Sequence, residues 1–178
     1  AGRQVFVQPA SEVVHFEGVS SAADPAAGMK SHQALHRDVF RERWGDAIRD
    51  HAEPGVEPDR EKDRAFCGRA LVLDTATPEP GRDSRSLRQL HLMRILLERG
   101  YRVSFASTNG VAPALARRAL ESHGIHVLHR PWLASVEQLL DASAPDYDVI
   151  LVCRQAVAKR HLAALGARFP AATLLFDV

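Results

Sequence analysis

The chain is short of cysteine, of net charge and of long apolar runs, and each shortage excludes something. Cys67 and Cys153 are its two cysteines, far apart, and neither belongs to a CxxC pair. That gives no zinc signal and fits reduced thiols in a cytoplasmic protein. The formal net charge is +1, with acids interspersed among arginines, as in Arg37-Asp38 and Arg41-Glu42-Arg43. A nucleic-acid binder carries a clustered basic face, so a solvated mixed-charge surface is expected and nucleic acid is not an expected partner. The longest apolar runs, residues 149–153 and 171–176, fall far short of the ~20 residues that cross a bilayer, and no transmembrane segment is expected. The opening Ala1-Gly2-Arg3-Gln4 is not a signal peptide. There is no GxGxxG, no P-loop, no HExxH, no repeat at a fixed period and no low-complexity tract. The chain lacks an initiator Met and stops at Asp177-Val178 as an apolar strand ends, so both ends read as cuts through a longer polypeptide.

What is present is ordinary globular material. With 178 residues, 46% hydrophobic and 25% charged, the chain suits one domain with a real core plus an appendage. Its first part, residues 1–52, opens with extended runs at 5–7 and 13–16. A turn-rich stretch follows at 18–28, then a helical pattern over 29–51 in which Leu35, Val39, Phe40, Trp44 and Ile48 recur at spacings of three and four. A β-hairpin and helix appendage is expected, and a lone hairpin is marginal without a surface to dock on. The second part, 53–68, is charged and holds two prolines in its first residues. It reads as a linker with nothing to bury, and high mobility is expected over 53–64.

The third part, residues 69–178, alternates short aliphatic runs with helical patterns. Strands are expected at 70–73, 101–106, 125–128, 148–153 and 173–176, and helices at 84–99, 112–123, 135–142 and 155–168. Asp83 or Ser84 would cap the first of these helices and Gly100 and Gly124 would end the first two. Such alternation predicts an α/β fold, an open parallel sheet of about five strands with right-handed crossovers, Rossmann-like in form.

In open parallel sheets ligands bind beyond the carboxyl ends of the strands, which points to the loop from Asp74 to Ser86. It runs into a helix N-terminus whose free N–H groups favour an anion. Thr75, Ser84 and Ser86 offer hydroxyls, and Arg85 and Arg88 offer positive charge; Arg154, just past the fourth strand, reaches the same edge. The plainer reading is a long surface loop closed by a capping residue, with Arg154 an exposed strand-end residue. Asp74 and Asp177, at the tips of the first and fifth strands, would approach one another and hold a metal or act as a base. That pattern brings a receiver-like or flavodoxin-like binding module into view. A receiver needs a lysine at the end of its last strand; the chain stops there, and Lys159 sits in a helix pattern. His15 beside Glu17 lies in an extended run, where a structural role competes with a metal-binding or catalytic role.

Two segments resemble known enzymes. Gln8-Pro9-Ala10-Ser11-Glu12-Val13-Val14-His15-Phe16-Glu17-Gly18-Val19-Ser20-Ser21 resembles the closing motif, P-x-S-x-V-x-H-x-E-G-x-S, of family-2, rhamnosyltransferase-like glycosyltransferases. The sequel Asp24 to Lys30, Gln33 and Phe40-Arg41-Glu42-Arg43-Trp44 fits too. The resemblance implies the tail of a GT-A domain whose Asp-x-Asp motif and Glu-Asp pair would lie before Ala1. His15 would then stand near a divalent metal, Mg or Mn, held only with the rest of that domain; no cofactor is implied for the present segment. Residues 69–178 resemble the N-terminal Rossmann-like domain of family-4, GT-B glycosyltransferases. The match rests on Val72-Leu73-Asp74, Thr77-Pro78, Asp83-Ser84, Ser86-Leu87-Arg88, Leu96 to Val103 and Phe176-Asp177. Where those proteins usually read Asp-Ser-Gly-Ser, Arg85 replaces the glycine, and with it the close backbone approach a glycine permits. The resemblance implies sugar transfer from a nucleotide-sugar to a glycan acceptor in surface polysaccharide biosynthesis, with flanking glycosyltransferase domains as partners. The present segment would supply the acceptor-side half of the cleft and be inactive alone.

Overall fold

Alternating aliphatic side chains that must all be hidden need covering on both faces of a sheet, and that is what this chain builds. A computed structural model describes residues 12–14, 31–53, 55–56, 58–141 and 145–177. The chain divides into two compact units, Ala1–Ala52 and Glu53–Val178.

In the first unit the helical pattern forms α1, Ser31–Ile48. Val39, Phe40 and Trp44 on it are exposed, and the Arg43 guanidinium lies 5.6 Å from the Trp44 ring. Residues 12–14, expected within the second strand of a hairpin, have no regular secondary structure. The other strand, at 5–7, lies outside the described residues.

The second unit begins at Glu53, the first residue of the expected linker, and from Asp63 onward that stretch makes contacts with the strands that follow it. Pro58–Glu61 forms a one-turn helix, α2. Asp63, with a side chain 14% exposed, takes the Nε of Arg69 at 2.8 Å and lies 3.8 Å from the Nε of Arg102. Phe66 sits under the Arg102 guanidinium at 5.7 Å, and Cys67 N donates to Gly100 O at 2.9 Å. The charges that read as a solvated run meet counter-charges at the starts of two strands, partners a linear composition does not reveal.

The sheet follows: β1 Gly68–Asp74, β2 Tyr101–Ser107, β3 His126–Leu128, β4 Val149–Cys153 and β5 Thr173–Asp177. All neighbours are parallel, in the order β3-β2-β1-β4-β5. The other α-helices of the unit are α3 Ser84–Glu98, α4 Ala114–Glu121 and α5 Gln155–Arg168. Ala70, Val72, Val103, Phe105, Val149 and Leu151 pack on one face against Leu90 and Met93 of α3 and Leu120 of α4. Leu71, Leu73, Ile150 and Val152 pack on the other against Val157 and Leu165 of α5, with Tyr147 and Phe169 edge to face at 5.6 Å. Both faces of the central strands are thus covered, which is why they read as unbroken apolar runs.

Asp83 caps α3, accepting Ser86 N at 2.7 Å, and Gly100, at φ 87°, follows its last turn. The expected helix over 135–142 is instead a short 3-10 helix, Val136–Leu140, with Val136 and Leu139 as its buried residues. Two buried anchors three residues apart suit the three-residue turn of that helix, in which i and i+3 eclipse.

His161 on α5 is 4% exposed, its Nδ1 4.0 Å from Glu137 Oε1. Burial holds its imidazole below the ordinary value of 6.5, with Glu137 opposing and Arg160 reinforcing the shift. The unfolded chain therefore takes up this proton first. The stability it contributes is present above about pH 6.5 and is lost as pH falls toward the folded value. His161→Gln is expected to flatten the fall of the urea midpoint between about pH 7 and pH 5. Part of the slope remains, because His126 is also lowered, chiefly by burial. An unchanged slope would contradict the burial of His161.

Candidate functional site

The chain leaves β1 for β2 and β3 on one side and returns to β4 and β5 on the other. Strand order reverses between β1 and β4, and the crevice outside the carboxyl ends at such a reversal is where open parallel sheets bind ligands. The order matches five strands of the dinucleotide-fold pattern 3-2-1-4-5-6 and differs from the flavodoxin and receiver order 2-1-3-4-5.

Asp74 ends β1 and Arg154 follows β4, so the two meet across the reversal point. Arg154 Nε donates to Asp74 Oδ1 in a short ion pair; the aspartate side chain is 3% exposed and the arginine 37%. Gln89 Nε2 donates to Asp74 Oδ2 at 3.1 Å, and Thr75 donates to Oδ1 through its N–H and, at 3.1 Å, its hydroxyl. A buried carboxylate needs this many partners to remain charged. Arg154 adopts φ 75°, ψ 138° at the N-cap of α5. That is a region where a side chain costs roughly 1–3 kcal/mol and which persists where surroundings force it, often at functional sites.

Beside this pair lies a hollow of about 280 Å³ lined by Asp74, Pro78, Asp83, Ser84, Arg85, Ser86, Gln89 and Arg154. Pro78 is the one apolar side chain among those described residues. The Ser86 N–H, the Ser86 hydroxyl and the Arg85 N–H hold the Asp83 carboxylate below its ordinary range. Arg154 is paired with Asp74, whereas Asp83 is engaged chiefly by Ser86, the Arg85 charge adding the least of its attractions. The lining is polar and near balance in charge.

Of the residues singled out from sequence, Ser84, Arg85, Ser86 and Arg154 come together here. The Ser86 hydroxyl is engaged by Asp83 Oδ2 at 3.1 Å. Thr75 and Arg88 do not line the hollow. Thr75 braces Asp74, and Arg88 grips Asp177 through two bonds, at 2.6 and 3.3 Å. His15 lies outside the described residues. Asp74 and Asp177 do not form a shared acidic site: β4 separates their strands and each is tied to a different arginine. Among the described residues no group of three or more His, Cys, Asp or Glu is placed to hold a metal. Gln89 was missed, though a polar residue one turn after Ser86 and beside Leu90 and Met93 signals a buried partner.

Cys153 closes β4 next to this site. Burial pushes its thiol up to about 11, with Asp74 and Asp177 adding to the effect and hydrogen bonding with Gln89 opposing it. Cys67 is exposed. A neutral-pH disulfide reagent is expected to modify Cys67 at once and Cys153 only after denaturant is added. Equal rates would contradict the packing of α3 over β4.

Fold and site together define a Rossmann-like α/β domain with a polar, charge-balanced hollow at its switch point. No protein-family model, curated protein or solved structure matches the chain. Among the described residues no helix is long and apolar enough to cross a membrane.

Proposed function

We propose that this chain supplies the acceptor-side half of a glycosyltransferase cleft, with the hollow at the β1–β4 reversal receiving a sugar unit of the acceptor glycan. The observation that carries the reading is the charge balance of that hollow. A nucleoside diphosphate brings two or more negative charges and calls for cations that are not already matched. Here Arg154 is already paired with Asp74, and the lining holds two carboxylates for its two guanidinium groups, while hydroxyl, carboxylate, amide and guanidinium groups converge on a small space. Such a set suits a neutral ligand rich in hydroxyls, which both donates and accepts. The resemblance of residues 69–178 to the N-terminal domain of family-4 enzymes supports the same assignment. The nucleotide-sugar would then be held by a facing domain, and the catalytic groups would come with it. The resemblance of residues 8–21 to a family-2 closing motif adds a GT-A neighbour, with His15 near that neighbour's divalent metal.

The rival reading is a receiver-like or flavodoxin-like binding module. The strand order argues against it, and so does Asp74, which is 2% exposed and already bonded to Arg154, Gln89 and Thr75. Calorimetric titration separates the two. The chain is expected to bind an oligosaccharide from a panel of glucose, galactose, mannose and rhamnose oligomers more tightly than UDP-, GDP- or dTDP-sugars. Ser84→Ala combined with Arg85→Ala is expected to weaken that binding about tenfold or more, the loss of one to two hydrogen bonds including a charged one. Binding of flavin mononucleotide, or transfer of phosphate from acetyl phosphate, in place of saccharide binding would favour the rival.

A further inference from the structure

The loop after β3 holds an indole that the core does not use. Trp132 is 84% exposed, yet its loop is tightly anchored. Leu133, beside it, is buried in the core under α5, and Leu133 N donates to His129 O at 2.8 Å. Ala134 N donates to Gln138 Oε1 at 2.7 Å, and Arg130 N to Gly110 O at 3.0 Å. Gly110, at φ 65°, is pressed against this loop: a Cβ there would lie 2.8 Å from Ala134 O and 3.1 Å from Leu133 O. The next residue ties the loop back toward the hollow, since Val111 O accepts the Thr77 hydroxyl at 2.8 Å and the Ser107 hydroxyl at 3.0 Å. Thr77 adjoins Pro78 in the wall of the hollow. The loops after β1, β2 and β3 thus form one bonded rim along the carboxyl edge. The ends of β1 and β3 stand two strand spacings apart, roughly 10 Å.

We propose that Trp132 is a stacking platform for a second sugar ring of the acceptor glycan, one unit removed from the ring in the hollow. The inference rests on the reading of the hollow as a sugar site. A pyranose offers a face of C–H groups and a rim of hydroxyls. The broad face of an indole takes the first, and the exposed Arg130, two residues earlier in the same loop, serves the second. Because the loop is already fixed, stacking on it loses little conformational freedom.

Trp44→Phe leaves Trp132 as the sole indole, since the chain has two. This variant is titrated with di- and trisaccharides of glucose, galactose, mannose and rhamnose while Trp132 emission and the Ser84 and Arg154 amide resonances are followed. The expected result is a saturable emission change with an oligosaccharide that also shifts those amides, and about tenfold weaker binding of it by Trp132→Ala. Amide shifts without any emission change would overturn the platform and leave the hollow as the sugar site. An emission change without amide shifts would locate a sugar at Trp132 alone and remove the link to the hollow. Silence of both would refute both readings. Emission that varies with protein concentration before any saccharide is added would assign the indole to contact with a second copy, and overturn the platform.

Discussion

Arg154→Ala is expected to destabilise the folded chain by about 3 kcal/mol, the low end for removing one partner of a buried ion pair. The Asp74 carboxylate stays behind with a 3% exposed side chain, and its charge must then be held by Gln89 and Thr75 alone. Those remaining donors, and the 37% exposure of the arginine, keep the loss from the upper end. Asp74→Asn is expected to cost less, since an amide needs no counter-ion. Combined with Arg154→Ala it should show a coupling of about 1–3 kcal/mol, as neighbours in one network do. Arg154→Gly isolates the backbone contribution. Glycine adopts φ 75° freely, so this variant should be more stable than Arg154→Ala by roughly 1–3 kcal/mol. Urea unfolding of the four variants reads all of this. Equal stability of the alanine and glycine variants would remove the backbone strain, and a wild-type alanine variant would remove the ion pair.

Phe105→Ala is expected to cost about 3–5 kcal/mol, through lost transfer energy and the cavity left behind. Phe105 lies on β2 with no exposed surface, in the cluster it shares with Leu90 and Met93 of α3 and Leu120 of α4. Packing on both sheet faces leaves little room for collapse around it. A domain of this kind has only ~5–15 kcal/mol in total, so the variant should unfold at a much lower urea concentration. Leu115→Ala on α4, where the leucine is 84% exposed, is the control, expected to change stability by about 0.5 kcal/mol or less. Similar costs at the two positions would contradict the α3–α4 side of the sheet.

The strands were legible because a strand covered on both faces must be apolar at every position, and Ala70 to Leu73 and Val149 to Cys153 show it directly. The helix ends were legible where one residue type carries the geometry, as with Asp83 at the start of α3 and Gly100 past its end. What escaped depends on partners distant in sequence. Asp63 read as part of a solvated run because Arg69 and Arg102 become its neighbours only once β1 and β2 are side by side. Arg88 and Arg154 read alike, as cations near one edge. The register of β4 with β5 places Asp177 opposite Cys153 and so within reach of the first, while β1 brings Asp74 to the second. The positive φ of Arg154 has no signal in composition at all, since a glycine would be the residue to expect there.

A sugar bound in the charge-balanced hollow at the β1–β4 reversal would perturb the backbone amides that line it. Amide chemical-shift mapping of the isotope-labelled chain, during titration with the tightest-binding oligosaccharide, reads those amides. Shifts concentrated at Asp74, Asp83 to Gln89 and Arg154 are predicted. Shifts confined to the amino ends of the strands, around Gly68, Tyr101 and Val149, or no saccharide-dependent shift anywhere, would contradict a sugar in the hollow.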